Sequence, residues 1–146
     1  MIYQKMTESD VAGVAKAYVE YYNQHENGCW TFEKAYKRIH QMLTIEDSLC
    51  LLQYDEAGSF TGFAIGYYKE YDDLKAYYLE EIVILKQFQN FGCGSKLLRE
   101  LERTARENGA AHLELLSVSD GHHLHFYNKA GFYTANTLCI MGKDLS

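Results

Sequence analysis

Proline is absent from this chain of 146 residues. Glycine, asparagine and aspartate must therefore mark every break between elements. Cysteine is sparse and scattered: Cys29, Cys50, Cys93 and Cys139 form no C-x-x-C pair. That pattern excludes a zinc ribbon and a disulfide framework and reads as inert thiols, with no metal expected. No apolar run approaches the ~18 residues of a membrane span. Met1–Glu8 shows no basic-then-apolar leader, so the expected place is the cytoplasm, with no membrane partner. Low-complexity tracts, repeats and Ser/Gly linkers are also missing. Positive charge is in deficit: Lys and Arg number 14 against 20 Asp and Glu, a formal net charge of −6. Such a balance disfavours nucleic acid, whose binding depends on neutralising phosphates, and suits a cationic small molecule.

What is present is ordinary globular material, 47% hydrophobic and 23% charged. A chain this long buries roughly 68–70% of its unfolded surface. One domain over residues 1–146 is expected. Periodicity predicts a strand at Ile2–Lys5, then a helix from Val11 through Tyr22 capped by Thr7–Asp10. Asn23–Gly28 reads as a loop, and Thr31 caps a second helix with Phe32, Ala35, Tyr36, Ile39 and Leu43 on one face. Strands follow at Ser48–Tyr54, Phe60–Tyr71 and Ala76–Leu85, with turns at Asp55–Gly58 and Asp72-Asp73. Gly92 opens a helix that Asn108-Gly109 ends. His112–Val118 is a strand, Gly121–Ala130 a short helix, and Phe132–Met141 a last strand or hairpin. Adjacent strands imply antiparallel hairpins, and the β-α-β step around the glycines implies one parallel pairing. The class is α/β or α+β, a mixed sheet with helices on both faces.

The chemistry concentrates in Leu79–Leu98, where a strand runs into Gln89-Asn-Phe-Gly-Cys-Gly94 and then into a helix. The first amides of a helix lack internal partners and sit at the positive end of its dipole. Glycine lets a diphosphate approach that backbone. Lys96 and Arg99 add charge. A dinucleotide fingerprint would need a third glycine where Leu97 stands, and a P-loop lacks its Gly-Lys-Ser/Thr ending. A tight turn without a ligand and an NAD-dependent oxidoreductase remain alternatives from this segment alone.

A second segment, Phe126-Tyr-Asn-Lys-Ala-Gly-Phe132, lies one strand further on. The two segments together, in this order and spacing, resemble the Gcn5-related N-acetyltransferase (GNAT) family over essentially the whole chain. That resemblance implies a mostly antiparallel seven-strand sheet in the order βααβββαβαβ(β). It implies acetyl-CoA as cosubstrate, its pyrophosphate on the backbone of Gln89, Asn90, Phe91, Gly92, Cys93, Gly94, Ser95 and Lys96. Main-chain groups near Ile84, Leu85 and Lys86 pair with pantetheine like an added strand. Tyr127 sits beside the sulfur. The family often has Asn seven residues before this Tyr and a small residue four before; here Asp120 and His123 stand there. Asp120 remains a candidate cofactor contact and a helix cap.

The implied reaction moves acetyl to a primary amine by direct attack through a tetrahedral intermediate. An amine with pKa ~10.4 must first lose a proton. Glu80 and Glu81 precede the cofactor segment, and strand alternation sends them to opposite faces, so one faces the acceptor as base. Glu80 is favoured, because family members often use an acid there. A backbone amide near Leu85 holds the oxyanion. Full proton transfer from Tyr127 to a thiolate is uphill by roughly 2 kcal/mol, so a strong hydrogen bond describes its role better. The other class of reading is a non-catalytic acyl-CoA-binding or sensing module on the same fold.

Three remaining features divide between function and packing. His122, His123 and His125 lack carboxylate or Cys partners at ligand spacing and read as a solvated face. Phe60–Tyr78 is rich in aromatics, among them Tyr67 and Tyr78; half belong to the core by alternation, and the rest suit an acceptor cleft that stacks on a cation. Trp30 either borders the acceptor site or anchors the second helix. Trp30, Glu80 and Tyr78 are thus the substrate candidates. The apolar stretch Tyr133–Met141 suits pairing across a homodimer.

Overall fold

The computed structural model describes all 146 residues. They form two units, Met1–Leu116 and Ser117–Ser146. The first holds strands β1 (Ile2–Lys5), β2 (Leu51–Tyr54), β3 (Phe60–Glu70), β4 (Lys75–Ile84) and β5 (His112–Leu115), with helices α1 (Val11–His25), α2 (Phe32–Thr44) and α3 (Cys93–Glu107). The second holds α4 (Gly121–Lys129).

The sheet order is β1-β2-β3-β4-β5. Three pairings are antiparallel and β4–β5 alone is parallel. A doubly wound dinucleotide sheet is parallel throughout its core, so the oxidoreductase alternative loses its scaffold. Five strands form where seven were expected. Residues 133–146 adopt no strand, and Tyr133, Leu138, Ile140 and Met141 are exposed. Alternating apolar residues become a strand only when a neighbour supplies a ladder, and the second unit contains none.

Other boundaries move for local reasons. α1 continues through His25 into the expected loop, and the left-handed Asn27 then breaks the chain direction. Only Leu51–Tyr54 of the expected Ser48–Tyr54 strand is regular, with Ser48 making a lone bridge to Tyr67. The strand expected to reach Val118 stops at Leu115.

Helices flank the sheet on both sides. Val11, Val14, Ala15 and Tyr18 of α1 and Ala35 and Ile39 of α2 pack on Leu52, Phe63, Ile65 and Val83. Leu97, Leu98, Leu101 and Ala105 give α3 its buried stripe, each leucine contributing roughly 1.5–3 kcal/mol. Gln53, adjacent to Leu52 and so facing the other side of the sheet, is fully buried and donates to the Cys93 carbonyl at 3.0 Å. Its Oε1 accepts from Thr61 at 2.8 Å, so the polar pair is satisfied while it ties the first turn of α3 to β2.

Candidate active site

The turn before α3 has the geometry its glycines predict. Asn90 and Gly92 take left-handed φ values of 67° and 80°. Gly92 is the N-cap, and a Cβ built there would meet nothing within 4 Å, so backbone conformation alone selects glycine. No side chain caps this helix start. Lys96 is the first amide to close a helical bond, to the Gly92 carbonyl at 3.0 Å. The amides of Cys93, Gly94 and Ser95 therefore have no acceptor inside the helix. Such a cluster, at the positive end of a 15-residue helix, fits a diphosphate. Lys96 is exposed beside it.

The strand leading there is open on one edge. β4 and β5 stay in register from Ala76↔His112 to Leu79↔Leu115, and β5 then ends while β4 runs on to Ile84. The Leu85 amide bonds back to Thr61 of the β3 side at 2.9 Å. Alternation turns the main-chain groups of Ile82 and Ile84 the other way, to the side β5 has left. Gln89 marks this edge: its Nε2 donates to the Ile84 carbonyl at 2.9 Å and to the Tyr21 hydroxyl at 3.0 Å. Of the residues expected to face pantetheine, Ile84 lies on this open side, whereas the Leu85 amide is turned to β3 and Lys86 begins a single 3-10 turn, Lys86–Phe88.

At the head of the open edge the two carboxylates break the alternation rule. Ile65 pairs with Glu81 and Gly66 with Leu79, so Glu80 is the extra residue of a β-bulge. A bulge places two neighbouring side chains against one partner residue. Glu80 and Glu81 consequently do not diverge to opposite faces as expected; a single guanidinium reaches both. Arg38 of α2 donates from Nε to Glu81 at 3.0 Å and from an Nη to Glu80 at 3.2 Å.

The two acids are nevertheless unequal. Glu81 also accepts from the Tyr18 hydroxyl at 3.2 Å and, through a short bond, from the Tyr22 hydroxyl. Its side chain is 13% exposed, against 26% for Glu80, whose single bond comes from Arg38. Burial and then the Glu81 charge raise the pKa values of Tyr18 and Tyr22, so both phenols remain donors. Burial alone would weaken the Arg38 charge; Glu81, Tyr18 and Glu80 outweigh it and hold the guanidinium protonated. Glu81 is thus held by three partners, and Glu80 is the more accessible carboxylate.

Trp30 stands one ring away from this group. It packs edge-on against Tyr18 at 5.0 Å, and Asn23 bonds both its amide and its carbonyl at 2.9 Å. Its described contacts are those of an anchor for the α1–α2 connection. Tyr78 lies on the Glu80 side, two residues along β4, and the Glu80 charge helps raise its pKa after burial. Arg38, Tyr18 and Tyr22 are partners of the two carboxylates that sequence reasoning missed. The tyrosines share the apolar period of α1, and Arg38 looks like any solvated helix cation.

In the second unit, Asp120 caps α4. One carboxylate oxygen accepts from the His123 amide and from His123 Nδ1, both at 2.7 Å. These bonds hold the Asp120 pKa below the usual carboxylate range. The far end explains the glycine of the second motif. Gly131 is left-handed, its amide bonds the Asn128 carbonyl at 3.0 Å, and Phe132 bonds the Tyr127 carbonyl at 3.1 Å. This paired closure brings the Phe132 ring to 5.6 Å from the Tyr127 ring. No group of three or more His, Cys, Asp or Glu side chains is placed to hold a metal. No helix is long and apolar enough to cross a membrane.

Comparison with known proteins agrees with this architecture. No curated protein matches the sequence. Solved structures match along their full lengths. The crystal structure of a probable acetyltransferase superposes with a TM-score of 0.82 at 19% identity, covering 100% of this chain and 99% of that one. Glucosamine-6-phosphate N-acetyltransferase from Arabidopsis thaliana gives 0.70 at 19% identity, with 99% and 98% covered. An aminoglycoside acetyltransferase from an uncultured soil metagenomic sample gives 0.71 at 14% identity, with 99% and 98% covered. At such identities the likeness establishes the fold. The family model for the acetyltransferase (GNAT) family matches residues 11–132, and the chain belongs to that family.

Proposed function

We propose that this protein transfers acetyl from acetyl-CoA to the primary amine of a small cationic molecule. The observation that carries the reading is the coincidence of three features on one strand. β4 loses its β5 neighbour after Leu79, bulges at Glu80, and runs as an open edge towards uncapped amides at α3. A thioester laid along that edge would have its acyl end near Glu80 and its diphosphate at Cys93–Ser95.

The residues divide the work. The α3 amides and Lys96 bind the diphosphate. Ile82 and Ile84 offer main-chain pairing to the pantetheine arm. Glu80 keeps one oxygen on Arg38 and takes the ammonium proton with the other, directly or through water. The freed amine nitrogen attacks the carbonyl carbon. The Leu85 amide expected at the oxyanion is already bonded to Thr61, so an open-edge amide of β4, with Ile82 nearest Glu80, stabilises the oxyanion as the C–N bond forms. The C–S bond then breaks and the thiolate leaves, taking up through water the second proton that the nitrogen sheds as the amide forms; the family resemblance gives Tyr127 a hydrogen bond to that sulfur. Glu80 and Glu81 together exceed Arg38 by one negative charge, which favours a cationic acceptor.

The test is a panel of small amines with acetyl-CoA, read by released thiol, beside calorimetry with coenzyme A. Turnover on one or more cationic amines is expected. Coenzyme A binding without turnover on any amine supports the sensing-module alternative, and absence of binding removes both.

A further inference from the structure

A lysine of the chain occupies a cage next to Glu80. Tyr67, Tyr78 and Glu114 are in register across β3, β4 and β5, in one row on one face. Lys69 lies two residues along β3 from Tyr67 and shares that face. Its Nζ sits 4.2 Å from the centre of the Tyr78 ring and 5.9 Å from that of Tyr67. It also bonds Glu114 at 3.1 Å, where the Tyr71 hydroxyl donates to the same oxygen at 2.8 Å. Aromatic faces with one carboxylate are what an ammonium group requires. Glu80 follows Tyr78 by two strand residues, roughly 7 Å along the same face.

We propose that Lys69 determines acceptor specificity: its ammonium fills the cage, so the acceptor brings one cation to Glu80, and a second cationic end finds no place. This rests on the acetyl-transfer reading and narrows it to monoamines, excluding diamines and polyamines. The charges decide the sign. With Lys69 present the cage is neutral, because its +1 meets the −1 of Glu114. Without Lys69 the same rings surround an uncompensated carboxylate, and exclusion becomes attraction. The side chains of Lys69 and Glu114 are 31% and 27% exposed, so the cage opens to solvent and a ligand can enter once it is vacated.

The probe is 1,4-diaminobutane, measured by calorimetry and by the Tyr78 ring resonances. It is titrated into the wild type, Lys69→Ala, Lys69→Arg and the double variant Lys69→Ala/Glu114→Gln. Lys69→Ala is expected to bind at least tenfold more tightly than the wild type, with a shift at Tyr78. Lys69→Arg refills the cage and returns to wild-type affinity, and the double variant loses the gain. Equal binding by wild type and Lys69→Ala overturns the assignment, as does a gain that survives Glu114→Gln. Coenzyme A binding is followed in the same samples. Its absence from the wild type breaks the acetyl-transfer reading, whereas normal coenzyme A binding with no diamine gain breaks the Lys69 assignment alone.

Discussion

Glu80→Gln and Glu81→Gln separate chemistry from architecture at neighbouring positions. Glu81 is 13% exposed and accepts bonds from Tyr18, Tyr22 and Arg38. An amide in its place keeps one acceptor oxygen and turns an NH2 group towards donors. Bonds to a charged group contribute about 1.5–3 kcal/mol each. Losing the charge and at least one bond, with Arg38 a third exposed and partly screened by solvent, costs on the order of 2–4 kcal/mol. For a chain of this size that lowers Tm by roughly 10 °C. Glu80 has one bond at 3.2 Å and twice the exposure, so its replacement costs less than about 1 kcal/mol and moves Tm by no more than about 3 °C. Activity is expected to reverse the ranking. Loss of the general base lowers kcat about 10²–10⁴-fold in Glu80→Gln. The surviving folded fraction of Glu81→Gln retains most of its turnover. Calorimetric melting and the thiol-release assay read the two quantities independently. Full turnover by Glu80→Gln, or a stable but inactive Glu81→Gln, refutes the division of roles derived from the bulge.

Tyr127→Phe is expected to lower kcat while leaving coenzyme A affinity within a factor of about three; unchanged kcat removes the phenol from the mechanism. Gly92→Ala and Gly58→Ala form a matched pair, with φ of 80° and 85° and open space at both Cβ positions. Each should cost about 1–2 kcal/mol in denaturant unfolding, but only Gly92→Ala should weaken coenzyme A binding; equal effects on binding contradict the anion-site role. Cys29 and Cys139 are exposed, whereas Cys50 and Cys93 are buried and burial pushes the Cys50 thiol up to about 11. Ellman's reagent should therefore count two fast thiols in the native protein and four after denaturation. Burial alone would raise the Glu114 pKa, but bonds from Tyr71 and Lys69 outweigh it and leave the value lowered. A depressed carboxylate stabilises the fold above its unfolded pKa of ~4.3 and loses that contribution as pH falls through the folded value. Wild type should thus lose more stability than Glu114→Gln between about pH 5 and pH 3; parallel curves count against the pairing.

The path from sequence to structure was clearest where a residue type has one physical reason to be present. Gly92 and Gly131 stand at left-handed positions, Thr31 and Asp120 cap helices, and the Leu97–Leu101 stripe is buried. Each of these is local, and local rules suffice. The bulge at Glu80 was not legible, because it arises from the mismatch of two strands and neither segment alone contains it. That single extra residue reverses the facing of every position before it on β4, which is why Tyr78 shares a face with Glu81, and why Glu80 joins Glu81 on Arg38. The aromatic strand did suggest stacking on a cation; that the cation is Lys69 depends on β5 presenting Glu114 at the right register. Gln53 reads as an odd polar residue in an apolar strand, and only the arrival of the Cys93 carbonyl explains it. The missing final strand has the same origin, since alternation specifies a face and says nothing about a neighbour.

The abrupt end of β5 leaves the β4 rim as an unzipped seam. In the ligand-free protein the Ile82 and Ile84 amides on that rim would exchange with solvent deuterium far faster than those on the β3 side. An occupant lying in the seam would act as a surrogate strand, so its residence would be written in the protection of two backbone hydrogens. Occupancy and folding would also be thermodynamically joined. At a hundredfold excess over Kd the fold would gain about 2.7 kcal/mol, making the sheet complete only while the protein is holding its reagent.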